Sequence, residues 1–186
     1  MTPVVLYGAA TPDGARLCSG LLHALSKNGG ALHVGGDRAG LSAPDGGCDF
    51  LVIESDRPME LNIPDGVIIF KSTLDHFANF TGPAIPEGFT AVVESCNAGA
   101  LTLLRRSGAT VITCGMASTD TMSLSSIAEQ SGAVSLLREI RTLSGETVEA
   151  RDIPVSYTPG LSEYGVLAAC AVLLLAGRDP EHGYHL

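Results

Sequence analysis

The chain of 186 residues has 20 acidic and 11 basic side chains, a formal net charge of -9, and 45% hydrophobic residues. This length and apolar content predict a single folded domain over residues 1–186. The acidic balance would repel a polyphosphate backbone, so nucleic acid is not an expected partner. Five widely spaced cysteines without metal-ligand spacing, and a start at "MTPVVLYG" with no basic segment, predict a reduced, cytoplasmic protein without a signal peptide.

Short apolar strands alternate with helices along most of the chain. Strands are predicted at residues 4–7, 31–34, 49–55, 66–70, 89–95 and 109–115, and helices at residues 13–27 and 97–108. Continuous apolar strands that alternate with helices are typical of a mostly parallel sheet covered on both faces. The fold class predicted from the sequence is therefore α/β.

The pattern changes in the last third of the chain. Residues 118–125 ("STDTMSLS") are predicted to be a polar loop. Two strand-like segments around "SGE" predict a small antiparallel β-hairpin element near residues 133–156. The apolar run at residues 164–177 is shorter than the ~20 residues that span a bilayer. We interpret this run as a buried core helix, so no membrane partner is expected.

The first loop has the shape of a phosphate-binding loop but not its chemistry. A P-loop needs a glycine-rich turn, a lysine for the phosphates and a Ser or Thr for magnesium. Of these, the segment "GAATPDGAR" keeps Gly8 and Gly14, while Thr11 serves as a helix cap and Arg16 is the nearest cation. The carboxylate of Asp13 would repel an incoming phosphate. The GxGxxG pattern of dinucleotide-binding folds is also absent.

Polar side chains follow two of the predicted strands. Glu54 ends the strand "FLVIES", and Asp75 and His76 follow "VIIF" by a few residues. If these strands are parallel neighbours, all three side chains lie at the carboxyl edge, where ligands bind in open α/β sheets. They could hold a divalent cation or act as an acid–base pair. Alternatively, Glu54 ends its strand in solvent and His76 caps a short helix.

Taken together, these elements resemble the central ATP-binding domain of the Mur ligases and of the related folylpolyglutamate and cyanophycin synthetases. The opening strand, loop and helix stand where that family has its GTNGKTT loop, "DFLVIESD" resembles its magnesium-binding strand, and "VIIFKSTLDHFANF" resembles its DH segment. The tail "TPGLSEYGVLAACAVLLLAGRDPE" is similar to the family's last central-domain helix. The resemblance covers nearly the whole chain and implies a P-loop NTPase-like fold, with Glu54 and His76 as metal ligands.

The departures from the family pattern all concern catalysis. The P-loop lysine and its Thr neighbour are absent, and Lys71 and Ser72 replace the family's Thr-Asn pair. "TGPAIPEG" replaces the helix that carries a modified lysine in many relatives. No counterpart of the family's N-terminal substrate domain or of its C-terminal domain is expected in this chain. Since lysine and magnesium stabilise the transferring phosphoryl group, complete ATP-dependent ligation is not expected.

A competing hypothesis concerns Cys96, which lies at a predicted strand-to-helix junction where a helix N-terminus can lower a thiol pKa. This placement is compatible with a cysteine-dependent hydrolase. Possible bases are His23, His33 and His76, but no spacing selects one, and Glu94 would raise the thiol pKa. A buried cysteine that only fills the core is the simpler alternative.

The sequence thus leads to three functional hypotheses. The first is a vestigial Mur ligase-like domain, with its phosphate loop at Gly8, Thr11, Gly14 and Arg16 lost, that acts as a binding module for a protein partner or a second copy. The second is a weak nucleotide- and Mg²⁺-dependent enzyme completed by a partner subunit, with ATP as cofactor and Arg16 or Lys71 as the only available cation. The third is the hydrolase that depends on Cys96.

Overall fold

The computed structural model describes residues 1–36, 38–43, 46–57, 59, 61–71 and 85–186. The described helices are α1 (Pro12–Lys27), α2 (Ala98–Leu104) and α3 (Glu163–Leu175). The described strands are β1 (Thr2–Tyr7), β2 (Ala31–Gly35), β3 (Arg38–Ser42), β4 (Phe50–Ser55), β5 (Gly66–Phe70), β6 (Phe89–Glu94), β7 (Thr110–Cys114), β8 (Met122–Ile127), β9 (Ser131–Leu136), β10 (Ile140–Arg141), β11 (Thr147–Val148), β12 (Arg151–Ser156) and β13 (Tyr184–His185).

Eleven strands form one sheet in the order β13-β12-β9-β8-β7-β6-β5-β1-β4-β2-β3. The run from β2 through β4, β1, β5, β6 and β7 to β8 is parallel. The strand β3 pairs antiparallel with β2, β9 pairs antiparallel with both β8 and β12, and β13 pairs parallel with β12. Because β1 lies between β4 and β5, the ends of these three strands meet at one place on the carboxyl edge. Open α/β sheets bind ligands at such places.

Helices cover both faces of the sheet, which confirms the predicted α/β class. On one face, α1 and α3 pack against a large buried cluster that includes Leu21, Val52 and Leu173. On the other face, α2 contributes Ala100 and Leu104 to a second cluster. Every residue of α3 from Tyr164 to Leu175 is buried, which explains its apolar sequence without recourse to a membrane. In the described part of the chain, no helix combines the length and the apolarity needed to cross a bilayer.

The hairpin element is also confirmed, with more strands than the sequence predicts. The strands β10 and β11 form a separate two-stranded antiparallel sheet around "SGE", while β9 and β12 extend the main sheet. The helix predicted at residues 97–108 ends earlier, at Leu104, and turns lead to Gly108, whose φ is 68°. Glycine favours this left-handed conformation.

The predicted polar loop at residues 118–125 is confirmed over residues 118–121, which form turns, and is wrong beyond them, because Met122–Ile127 forms β8. Its first three residues, Met122, Ser123 and Leu124, are buried, and the strand pairs with both β7 and β9. The pairing with strands on both sides stabilises β8 as a strand, although its serine-rich composition is typical of a loop. The edge strand β3 was not predicted either, because all of its residues are exposed and no apolar alternation marks it.

Candidate functional site

In the first loop, residues 8–16, several backbone N–H groups donate hydrogen bonds to other atoms of the same loop. Thr11 caps α1 by accepting a hydrogen bond at its side-chain oxygen from the N–H of Gly14 at 3.1 Å, and the N–H of Ala15 bonds to the carbonyl of Thr11 at 2.9 Å. The N–H of Thr11 bonds to the carbonyl of Ala9 at 2.9 Å, and Pro12 has no N–H to donate. A phosphate at this helix start would therefore find three of the backbone donors already bonded. Gly8, with φ of 144°, makes the turn out of β1.

The cation in this loop, Arg16, is also engaged. Its guanidinium lies 3.3 Å from the carboxylate of Asp13, and both side chains are exposed to solvent. An adjoining cleft of about 430 Å³ is lined by Arg16 together with three carboxylates, those of Asp13, Glu94 and Glu163. Acidic groups thus outnumber basic ones beside the helix start, which disfavours an anionic ligand.

Lys71 lies directly behind this loop and is held from several sides. Its N–H bonds to the carbonyl of Tyr7 at 2.7 Å, and its carbonyl accepts from the side-chain amide of Asn97 at 2.9 Å. Its side chain is only 2% exposed and runs past Gly14, where an added Cβ would meet the Lys71 Cδ at 3.0 Å. The stem therefore fills the space beneath the first turn of α1.

The ammonium group of Lys71 ends on Glu54, with which it forms an ion pair and a hydrogen bond to Oε1. Burial by itself would raise the pKa of the Glu54 carboxyl, but the hydrogen bond and the charge of Lys71 outweigh it and lower that pKa below its usual value. Glu54 is therefore ionised at neutral pH and already has a cationic partner. No nucleotide or metal is needed to neutralise it.

The second oxygen of Glu54 faces two residues that the sequence did not place there. The Oε2 atom of Glu54 lies 3.6 Å from the Nε2 atom of His33, and this nitrogen lies 3.8 Å from the Sγ atom of Cys18. Burial and the neighbouring Glu54 raise the pKa of the Cys18 thiol to about 12. In the described part of the chain, Cys18, His33 and Glu54 form a cluster of three side chains that could bind a metal ion. Their ligand atoms all lie within 4.8 Å of one another.

The second proposed metal ligand, His76, lies outside the described residues, as does Asp75. A metal site shared by His76 and Glu54 therefore stays a prediction. The sequence did not associate Cys18 and His33 with Glu54, since they lie on α1 and β2 with no motif linking them. The placement of Glu54 at the carboxyl end of β4 follows the sequence analysis.

Cys96 lies in the turn between β6 and α2 and is exposed. Partial burial and the carboxylate of Glu94 raise the pKa of its thiol. The α2 helix that follows has only 7 residues, and its capping side chain, Asn97, already accepts from Ala100. These features leave Cys96 mainly as a thiol at neutral pH and do not supply the activation that a catalytic cysteine requires.

No protein-family model and no curated protein matches the sequence. Solved structures, however, share its fold. The MurF ligase from Thermotoga maritima, solved in complex with ADP, superposes with a TM-score of 0.55 at 15% identity over 97% of this chain and 46% of its own. The E. coli FolC protein, in complex with DHPP and ADP, gives a TM-score of 0.59 at 14% identity over 97% and 54% of the two chains.

A bifunctional folylpolyglutamate synthase/dihydrofolate synthase, solved with Mn, AMPPNP and L-glutamate bound, gives a TM-score of 0.58 at 13% identity, covering 97% of this chain and 55% of the other. The chain thus spans about half the length of the structures it matches. At these identities the likeness concerns the fold alone, and it confirms the resemblance drawn from the sequence motifs at that level. The chain has a Mur ligase-like fold, with the ends of β1, β4 and β5 meeting around Glu54 and Lys71.

Proposed function

We propose that this chain is a non-catalytic module of the Mur ligase-like fold, which has lost ATP-dependent ligation and binds a protein partner. The observation that carries this proposal is the ion pair between Glu54 and the buried Lys71. The motif resemblance implies Glu54 as a magnesium ligand. In this chain the positive charge next to that carboxylate is an ammonium group supplied by the protein itself.

An internal ammonium and a magnesium ion compete for the same carboxylate. Mg²⁺ requires near-octahedral oxygen coordination and binds through carboxylates, phosphates and water. With Oε1 of Glu54 bonded to Lys71, only Oε2 remains for a metal, and it faces the nitrogen of His33 and the sulfur of Cys18, which are poor ligands for Mg²⁺. Phosphoryl transfer depends on metal and lysine charges that face the phosphates, so this arrangement does not support it.

The first loop supports the same conclusion independently. The backbone donors of Thr11, Gly14 and Ala15 are bonded within the loop, and Arg16 is paired with Asp13. The neighbouring cleft adds Glu94 and Glu163. A nucleotide would therefore need to break existing bonds and approach several carboxylates, whereas the nearest basic groups are already paired.

Thermal unfolding with millimolar ATP or ADP and Mg²⁺ tests the loss of nucleotide binding. A ligand at ~100 times its dissociation constant adds about 2.7 kcal/mol to the free energy of unfolding, which raises Tm by several degrees. We expect no such rise for the wild type. A magnesium-dependent rise that Arg16→Ala and Glu54→Ala abolish, but that the exposed control Arg106→Ala retains, would favour the nucleotide-dependent enzyme instead.

The edge strand β3 supports the proposal that the chain binds a protein partner. This strand ends the eleven-stranded sheet, and its residues are all exposed, with Leu41 65% exposed and Val34 on the adjoining β2 43% exposed. Exposed strand edges with apolar side chains are surfaces on which further strands add. We propose that a second copy of this chain pairs here.

Light scattering at increasing protein concentration measures this association. We expect a mass approaching twice 19.2 kDa, because a second copy can extend the sheet at β3. Leu41→Lys should return the mass to that of one chain, since a charged side chain on an edge strand opposes pairing. Met116→Lys is the matched control, because Met116 is 66% exposed and lies outside β3. A wild type with the mass of one chain at every concentration would contradict self-association.

A further inference from the structure

We propose that Cys18, His33 and Glu54 form a binding site for a divalent transition metal of the zinc type. This site goes beyond the proposed function, because it involves neither a nucleotide nor the partner surface. It also differs from the magnesium site that the motif resemblance implies, which would join Glu54 to His76.

The distances among the three side chains are close to those of a metal site. The Sγ atom of Cys18 lies 3.8 Å from the Nε2 atom of His33, and this nitrogen lies 3.6 Å from the Oε2 atom of Glu54. Tetrahedral zinc with ordinary bond lengths to sulfur, nitrogen and oxygen holds neighbouring ligand atoms about 3.3–3.6 Å apart. A contraction of a few tenths of an ångström would bring these two pairs to that geometry, and the ligand atoms of the third pair, Cys18 and Glu54, lie within 4.8 Å of each other.

Regular secondary structure carries all three ligands. Cys18 lies on α1 and is 5% exposed, while His33 and Glu54 lie on the adjacent parallel strands β2 and β4. Their side chains are 19% and 27% exposed, respectively, so an ion could enter from solvent and keep a further coordination position open. Ligands on helices and strands are held in position better than ligands on loops.

A glycine leaves room beside the cluster. Gly35 pairs with Glu54 across β2 and β4, and a Cβ added there would lie 2.7 Å from the Cβ of Glu54. The same Cβ would lie 3.0 Å from His33 Nε2 and 3.3 Å from Glu54 Oε2. Any side chain at position 35 would therefore crowd the two ligand atoms, and the glycine keeps the space between them open.

The types of ligand select the class of metal. Thiolate and imidazole groups favour zinc and other late transition metals, whereas magnesium and calcium prefer oxygen ligands. On binding, the metal would displace the proton of the Cys18 thiol into solvent, and the resulting thiolate together with the Glu54 carboxylate would balance the two positive charges of the ion. Lys71 bonds to Oε1 of Glu54 and leaves Oε2 for the metal, so it would serve as an outer partner that orients the ligand carboxylate.

Titration of the reduced, chelator-treated full chain with Co²⁺ tests this proposal. A thiolate ligand gives a near-ultraviolet charge-transfer absorption to cobalt, and tetrahedral coordination gives intense visible bands. We expect both, saturating at one equivalent and displaced by Zn²⁺. Cys18→Ser should remove the charge-transfer absorption. His33→Gln should weaken zinc affinity, measured against a competing chelator, by at least the roughly 10- to 100-fold known for losing an outer partner.

Exposed residues of the same types provide matched controls. Cys96→Ser and His182→Gln should bind cobalt like the wild type, because Cys96 and His182 are exposed and lie outside the cluster. A wild type without charge-transfer absorption would overturn the proposal. So would an absorption that persists in Cys18→Ser or disappears in Cys96→Ser.

Gly35→Ala separates the site from a general effect on folding, because it retains all three ligands and fills the space between two of them. We expect its zinc affinity to fall at least about tenfold, as for the loss of an outer partner. Thermal unfolding of each variant in chelator checks that it is folded without metal. A folded Gly35→Ala variant that binds zinc as tightly as the wild type would place the metal elsewhere and overturn the assignment.

Discussion

Replacing Glu54 with leucine is expected to lower the free energy of unfolding by about 3 kcal/mol, the scale found when one partner of a buried ion pair is removed. The physical reason is the environment of Lys71, whose side chain is 2% exposed and ends on this carboxylate. Without Glu54, the ammonium stays away from water without its anionic partner. Chemical denaturation at neutral pH in the presence of chelator measures the loss.

The opposite substitution, Lys71→Met, provides the control for Glu54→Leu. It removes the charge and keeps an unbranched stem beside Gly14, and the remaining carboxylate is 27% exposed and can reach water. We expect a smaller loss, about 1 kcal/mol, similar to a typical hydrogen bond. The double variant should resemble Lys71→Met, since contacting residues couple strongly. The buried ion pair would be contradicted if both single variants lost the same free energy of unfolding and the double variant lost the sum of the two.

Asn97→Ala is expected to lower the free energy of unfolding by about 2–3 kcal/mol, the sum of a lost helix cap and a lost buried hydrogen bond. Asn97 accepts from the N–H of Ala100 at 3.0 Å and donates to the carbonyl of Lys71 at 2.9 Å. It is 8% exposed, so water does not readily replace these bonds. Denaturant unfolding of the variant measures the effect.

Thr102→Ala is the control for Asn97→Ala. Thr102 lies on the same helix, α2, and its exposed hydroxyl bonds to the carbonyl of Ala98 at 2.8 Å. Since surface substitutions outside special features change stability by roughly 0.5 kcal/mol or less, we expect little change. If Asn97→Ala were no more destabilising than Thr102→Ala, the side chain of Asn97 would not be holding the backbone of Lys71 in place.

The sequence contains most of the information for the fold in its apolar runs. The strands β1 and β5 and the helix α3 are buried on all sides, so long apolar segments mark them directly. The helix α1 is marked by its cap at Thr11 and by its buried leucines. The strands β3 and β8 were missed because one is fully exposed and the other is rich in serine, so that their pairing depends on neighbours distant in sequence.

The candidate site was predictable only in part. Glu54 could be placed because it ends an apolar strand, and strand ends gather at the carboxyl edge. Lys71 was recognised as a departure from the family pattern, but its sequence position does not say whether its ammonium faces a ligand or a carboxylate. Cys18 and His33 are brought together by the return of the chain from α1 into β2, and the distance between their ligand atoms depends on helix and strand packing.

Equilibrium dialysis of the wild type against labelled ATP with excess Mg²⁺ most directly tests whether this Mur ligase-like fold has lost its nucleotide. We predict no saturable binding up to millimolar ATP, because Glu54 is paired with Lys71 and the N–H groups of Thr11, Gly14 and Ala15 are bonded within the first loop. Saturable binding of one ATP per chain that requires Mg²⁺ and is lost in Glu54→Ala would contradict this account. It would mean that Lys71 leaves Glu54 when the nucleotide binds.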